Sequence, residues 1–367
     1  LFRDKVTIPY GWDSDKITFS HSFDFLFPPP MLECDCRWYS CEYHLQIQQE
    51  VIFMIQIDLI TGFLGSGKTT FIRKYAKYLI DQGLNIGILE NDFGAVNVDA
   101  MLLQDILGDN CTLEMVAGGC DADCHRRRFK TKLIAMGMCG YDRVLVEPSG
   151  IFDMDEFFDA LHEDPLDRWY TIGSVITIID ATLEQNLSEA SRYLLASQVA
   201  QAGTVLYSHS QEVTPEQLAS TKDYVKQSFD ILHSKSTPKQ IVLEKDWKDL
   251  TDEDYKAILS SGYQDANYTK LWFDDKQTYD SLYFMNMDFT EDFLKESCQK
   301  ILHDPACGKG FRIKGYQKLA DGSWISINVT HQKTEIEPIP NGQAILIVIG
   351  EGLNQEAIEG YWGKSKP

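Results

Sequence analysis

Gly62-Phe63-Leu64-Gly65-Ser66-Gly67-Lys68-Thr69, GFLGSGKT, decides how the rest of the chain is read. A β-rich run, residues 55–61, stands before it. Behind it Phe71, Ile72, Tyr75, Tyr78 and Leu79 recur at helical spacing until Gly83 offers a C-terminal stop. A strand, a glycine-rich turn and a helix in that order make a phosphate-binding loop. The glycines let backbone N–H groups curl round an anion, and the helix N-terminus adds the positive end of its dipole. Lys68 is placed to reach outer phosphates and the Thr69 hydroxyl to bind magnesium. Gly62, Gly65, Ser66, Gly67, Lys68, Thr69 and Thr70 are therefore the candidate nucleotide-binding residues.

Outward from this loop, β-rich runs at residues 55–61, 85–89, 143–147, 174–180, 204–207 and 240–243 alternate with helical segments. That alternation predicts an α/β fold, a P-loop NTPase with a parallel sheet and helices on both faces. After an acidic and polar connection at residues 245–277, a strand (residues 283–288) and a helix (291–302) precede strands near 311–316, 324–329 and 344–349. This order predicts a smaller C-terminal α+β domain. The expected division is 1–53, 54–262 and 263–367. Residues 1–53 carry an aromatic, proline-punctuated stretch and no sustained period. Because Met54 stands directly before the first strand, this extension is read either as a native disordered segment or as a non-native piece of upstream reading frame. Its Cys34, Cys36, Cys41 and His44 are read as a chance cluster.

Composition limits the function classes. The formal charge of −21 repels nucleic acid and anionic lipid, so neither is an expected partner. No apolar run approaches the ~20 residues of a membrane helix, and the expected compartment is the cytoplasm. The 9 cysteines favour free thiols and metal ligands over a disulfide framework. Cys111, Cys139, Cys298 and Cys307 are scattered singly and are expected to be small buried hydrophobes.

A phosphate loop needs an acid near the outer phosphate. Residues 143–150, RVLVEPSG, end a strand on Glu147, and Gly150 follows as a backbone donor for a phosphate. Asp92, after the second strand, is a second acid, with a plain turn former as its rival reading. Lys68, Thr69, Asp92 and Glu147 are thus the candidate catalytic residues. A further cluster lies in GGCDADCHRRR, residues 118–128. It supports two readings, a metal site or an acidic helix start with a solvated arginine face.

Together these motifs resemble the CobW-type GTPases, relatives of the urease and hydrogenase maturation GTPases linked to metal insertion or trafficking. The resemblance rests on GFLGSGKTT, on Asn91-Asp92-Phe93-Gly94, on Asp99, on Glu147-Pro-Ser-Gly150, and on Arg312-Ile313-Lys314-Gly315 with LIVIGEGL (residues 346–353) in the second domain. It implies GTP, Mg²⁺ and Zn²⁺ or a similar transition metal as cofactors and ligands, and a client metalloprotein as partner. The segment bearing Cys120 and Cys124, read as joining the two phosphate-facing strands, would then couple nucleotide to metal.

Two departures from the family qualify that. Its guanine motif, Asn-Lys-x-Asp, aligns with Ser208-His209-Ser210-Gln211, and an amide at Gln211 offers one acceptor where a carboxylate offers two, which predicts base preference relaxed toward ATP. Its Gly-Cys-x-Cys-Cys becomes Gly119-Cys120-Asp121-Ala122-Asp123-Cys124, leaving a mixed ligand set of Cys120, Asp123, Cys124 and His125, with Thr69 and Asp92 as further metal candidates. Two rival functions stay open, a nucleotide-binding interaction module without hydrolysis and a small-molecule kinase.

Overall fold

The computed structural model describes residues 54–63, 65–91, 103–116, 122–148, 154–232, 240–266, 279–331 and 333–363. The span Met54–Pro367 is one compact unit. Its first half begins with β1 (Ile55–Thr61), α1 (Lys68–Asp81), β2 (Ile86–Asn91), β3 (Cys111–Val116), α2 (Ala122–Gly137) and β4 (Arg143–Pro148). It continues through α3 (Met154–Leu161), a single turn α4 (Leu166–Trp169), β5 (Tyr170–Asp180), α5 (Glu189–Gln201), β6 (Thr204–Ser208), α6 (Pro215–Ser228), β7 (Ile241–Leu243) and α7 (Asp252–Leu259). The seven strands form one sheet in the order β3-β2-β4-β1-β5-β6-β7, and every pairing is parallel.

Both faces of this sheet are covered, as the near-continuous apolar strands require. On one face Ile60, Leu145, Ile176 and Leu206 pack under Phe71, Ile72, Tyr75 and Leu79 of α1 and Tyr255 and Ile258 of α7. On the other, Ile57, Leu59, Val146 and Val175 meet Phe129 and Leu133 of α2, Phe157 of α3 and Leu195 of α5. The helical stripe expected from Phe71 to Leu79 is the buried face of α1.

A second sheet, all antiparallel, follows in the order β11-β10-β9-β12-β8. Its strands are β8 (Tyr279–Met285), β9 (Lys309–Lys318), β10 (Trp324–Thr330), β11 (Thr334–Ile339) and β12 (Ile345–Glu351), with helices α8 (Glu291–His303) and α9 (Gln355–Trp362). Leu294, Cys298 and Ile301 of α8 and Ile358 and Trp362 of α9 cover one face through Ile313, Leu346 and Val348. Phe311, Ile345, Ile347 and Ile349 point the other way and join the core of the first sheet. Polar ties cross the same seam: the Ser188 hydroxyl donates to Glu351 at 2.9 Å, and Lys309 donates to the Asn186 carbonyl.

Several sequence expectations need correction. Two edge strands, β3 and β11, carry too much polar surface to show an apolar period: the middle of β3 and the whole of β11 are exposed or half-buried. Because β3 intervenes, the stretch before α2 joins β3 to β4, not β2 to β4 directly. β5 begins at Tyr170, four residues before its expected start, since Gly173 breaks the β-branched run. That glycine is required by packing, as a Cβ there would stand 2.3 Å from a carboxylate oxygen of buried Asp58. Among the single cysteines, Cys111, Cys298 and Cys307 are buried, but Cys139 is exposed just past the end of α2. Burial pushes the Cys298 thiol up to about 12 and Cys111 up to about 11.

Candidate functional site

The site is set by β1. It lies between β4 and β5; its own connection runs one way, past β4 to β2, while that from β4 runs the other way, to β5, so the crevice at their carboxyl ends is where an open α/β sheet takes a ligand. The chain turns there through Gly62, whose φ is 137° and whose Cβ would lie 2.2 Å from the Ile178 carbonyl oxygen. Any side chain at this position would push β1 off β5. Gly67, at φ 93°, then starts α1 without a side-chain cap, leaving the first amides of the helix open toward an anion.

Lys68, Thr69 and Glu147 converge at this helix head. The Thr69 hydroxyl is 3.0 Å from each carboxylate oxygen of Glu147. Lys68 Nζ donates to the Gly62 and Phe63 carbonyls at 3.1 and 3.3 Å and stands 3.9 Å from Glu147 Oε1. All three side chains are nearly buried. Ser66 Oγ is buried inside the loop without a hydrogen-bond partner among the described residues. A hydroxyl and a carboxylate side by side form a hard oxygen donor set, the chemistry that suits Mg²⁺.

Around them lies a cavity of about 210 Å³, lined by Gly65, Gly67, Lys68, Thr69, Thr70 and Glu147 from the first sheet's lobe. Its opposite wall comes from the second sheet, with Arg312 and Lys314 of β9 and Asn328 of β10 among the lining residues. Arg312 donates to the Gly65 carbonyl and, from Nε, to Asn328 Oδ1 at 2.7 Å.

A second cavity of about 160 Å³ shares Gly67 and Thr70 with the first and is lined further by His209, Gln211, Lys245, Asp246 and Trp247. The two cavities meet at Gly67 and Thr70, one lying at the glycine loop and the other beside the indole of Trp247. Of the aligned base residues, Gln211 lines this cavity and Ser208 does not. Ser208 is buried and its hydroxyl donates to the Ile179 carbonyl at 3.3 Å. His209 adopts a left-handed φ of 53° and its ring lies 3.2 Å from Asp180, which raises the imidazole above its usual value.

The metal candidates are placed only in part. Cys124 is half-buried in the first turn of α2, and Cys120 precedes the first residue of that helix. Asp92, Asp99, Cys120 and Gly150, and the side chains of Asp123 and His125, lie outside the described residues. Among the described residues no three His, Cys, Asp or Glu side chains gather as a metal cluster. Nor is any described helix long and apolar enough to cross a membrane.

The sequence did not point to Trp247, Asp246 or Lys245, which it placed in a connection, nor did it bring Arg312 and Lys314 to the phosphate loop. A strand carrying two cations on one face, in a chain of net charge −21, was the available signal.

Residues 56–232 match the family described as CobW/HypB/UreG, nucleotide-binding domain. The zinc chaperone YeiR of Escherichia coli K12 is 31% identical over 164 residues, 44% of this chain and 49% of that protein. The zinc chaperone YjiA of the same organism is 30% identical over 164 residues, 41% of this chain and 48% of that protein. The chain thus spans about half the length of these curated relatives.

Proposed function

We propose that this chain, whose residues 56–232 match the CobW/HypB/UreG nucleotide-binding domain, is a CobW-type P-loop GTPase that hydrolyses a nucleoside triphosphate in a cycle coupled to binding a transition metal and delivering it to a client metalloprotein. The observation that carries this is the meeting of Lys68, Thr69 and Glu147 at an uncapped helix head. Loop amides and the helix dipole hold the phosphates, and Lys68 exchanges its neutral carbonyl partners for a stronger charge-assisted bond to phosphate. Thr69 and Glu147 would hold Mg²⁺, which would neutralise charge on the outer phosphate oxygens. Glu147 or Asp92 would orient the attacking water, and the Gly150 amide the terminal phosphate it attacks, with the nucleoside diphosphate as leaving group. We assign this lobe to residues 54–262 and the second lobe to 263–367.

For the metal, zinc is the favoured cargo by likeness to two relatives named as zinc chaperones. Cys120 and Cys124, completed by Asp123, His125 and Asp92, are the proposed ligands. Both cysteines fall in the connection from β3 to β4, whose C-terminal ends lie on the same edge of the sheet as the phosphate loop. Zinc affinity should therefore change with nucleotide state, by about 5- to 150-fold for an ordinary coupling of two sites.

Phosphate release from GTP and from ATP, each with and without zinc, tests the reading. Tight nucleotide binding with no release in any arm would leave only a binding module. Zinc titration of wild type, Cys120→Ser and Cys124→Ser tests the ligands, and equal stoichiometry and affinity in all three would remove them.

A further inference from the structure

The second sheet supplies part of the phosphate cavity. Arg312 sits on β9, 247 residues from the loop, and still donates to the Gly65 carbonyl. Position 65 has no room for both groups: a Cβ there, where φ is 84°, would stand 2.4 Å from an Arg312 guanidinium nitrogen. The guanidinium is held from behind by a relay. Its Nε donates to Asn328 Oδ1 at 2.7 Å, and Asn328 Nδ2 donates to Glu335 at 2.7 Å. A long side chain fixed in this way has already lost the rotamer freedom that binding would otherwise cost it.

Charge points the same way. The chain has 55 acidic residues against 34 Lys and Arg, but among the described residues the cavity wall carries Lys68, Arg312 and Lys314 against the carboxylate of Glu147. Three cations gathered around one carboxylate in an acidic protein fit a polyanion, and a planar fork is the side chain best matched to phosphate oxygens.

We propose that Arg312 is a phosphate-contacting residue of the nucleotide site, delivered by the second lobe to the outer phosphate of a bound nucleoside triphosphate. The inference rests on the nucleotide reading above and adds a consequence to it. A triphosphate ties β9 to the phosphate loop, whereas a diphosphate leaves Arg312 on Gly65 and Asn328, so the second lobe registers which nucleotide is bound. Asn328 acts as a positioning residue for the guanidinium.

The experiment uses the full chain as wild type, Arg312→Ala, Arg312→Gln and Asn328→Ala. Affinities for GTPγS and GDP, and for ATPγS and ADP, are measured by calorimetry with magnesium, alongside phosphate release and thermal unfolding. Arg312→Ala is expected to cut the triphosphate-over-diphosphate affinity ratio by about 10- to 100-fold, the range of one charge-assisted hydrogen bond, with diphosphate affinity kept. Asn328→Ala should lose part of the ratio. An unchanged ratio in a folded Arg312→Ala protein overturns the proposal while leaving the nucleotide reading intact. If that variant does not fold, an unchanged ratio in both Arg312→Gln and Asn328→Ala overturns it equally. Wild type binding neither class of nucleotide removes both readings, and wild type that binds without turnover still decides the matter through the ratio.

Discussion

The Thr69 hydroxyl stands 3.0 Å from both carboxylate oxygens of Glu147, although 78 residues separate the two in sequence. Parallel pairing of β1 with β4 brings them together, since Leu59 aligns with Val146 and both chains leave the sheet at the same edge. Thr69→Ala should abolish the magnesium dependence of triphosphate affinity and lower turnover by about 10² to 10³, as when one oriented polar group is taken from a catalytic site. Thr69→Ser, which keeps the hydroxyl, should retain most of both. Triphosphate affinity equally magnesium-sensitive in Thr69→Ala would show that the hydroxyl has no part in holding the ion.

Gln211, the proposed base-reading residue, shares its cavity with Asp246 and Trp247. A carboxylate accepts two hydrogen bonds from guanine where the amide accepts one, so wild type should discriminate weakly between GTP and ATP. Gln211→Asp should raise the preference for GTP by about 10², within the range that a polar contact to substrate supplies. Competition of ATP against GTP on both proteins checks this, and strong GTP selectivity in wild type would contradict it.

Below the site, buried Asp58 on β1 holds the middle of the sheet to α1. It receives Arg143 at 2.5 and 2.7 Å, the Tyr75 hydroxyl at 2.8 Å and the Ser174 amide at 2.7 Å. Removing one member strands charge or donors in the core. Arg143→Ala or Asp58→Ala should therefore destabilise the protein by about 3–5 kcal/mol in denaturant titration. The effects of the two should not add, because either one breaks the same pair. A loss below ~1 kcal/mol for both would mean that water reaches the pair.

His209 and Asp180 give the site lobe a pH signature. The carboxylate raises the imidazole above its ordinary value, and burial opposes this only in part. A group whose folded value is raised stabilises below its unfolded pKa of about 6.5, and that contribution is lost as pH rises through the folded value. For Asp180 burial pushes upward, but His209 and the Thr182 contacts prevail and hold it below the ordinary carboxylate range. Its contribution is present above an unfolded pKa of about 3.9 and is lost as pH falls through the lower folded value. His209→Gln should thus flatten the decline in melting temperature between about pH 6.5 and the folded histidine value. An unaltered profile, or an NMR titration of His209 at or below 6.5, would rule the pair out as its source.

How much of this was legible follows from range. The phosphate loop and Glu147 could be read because each is a local pattern, a strand run ending in a turn or an acid, and the sheet repeats that pattern around them. β3 and β11 could not, because an edge strand half open to water shows no apolar alternation and β11 even carries Pro338. Two cations on one strand face hint at an anion, but the partnership of Arg312 with Gly65 leaves no local trace. Nothing in RIKG says which glycine it faces, since the antiparallel sheet that aims it is assembled from five separated segments. Trp247 was hidden for a similar reason, standing in a single short turn within a polar connection.

The seam between the sheets has one more consequence. Every residue of β12 is buried, with Leu346 and Val348 under the helices of its own lobe and Ile345, Ile347 and Ile349 in the core of the other. Neither lobe can melt without stripping this strand of half its apolar surroundings. Heat and denaturant should therefore meet a single cooperative unit, in which the two lobes unfold together.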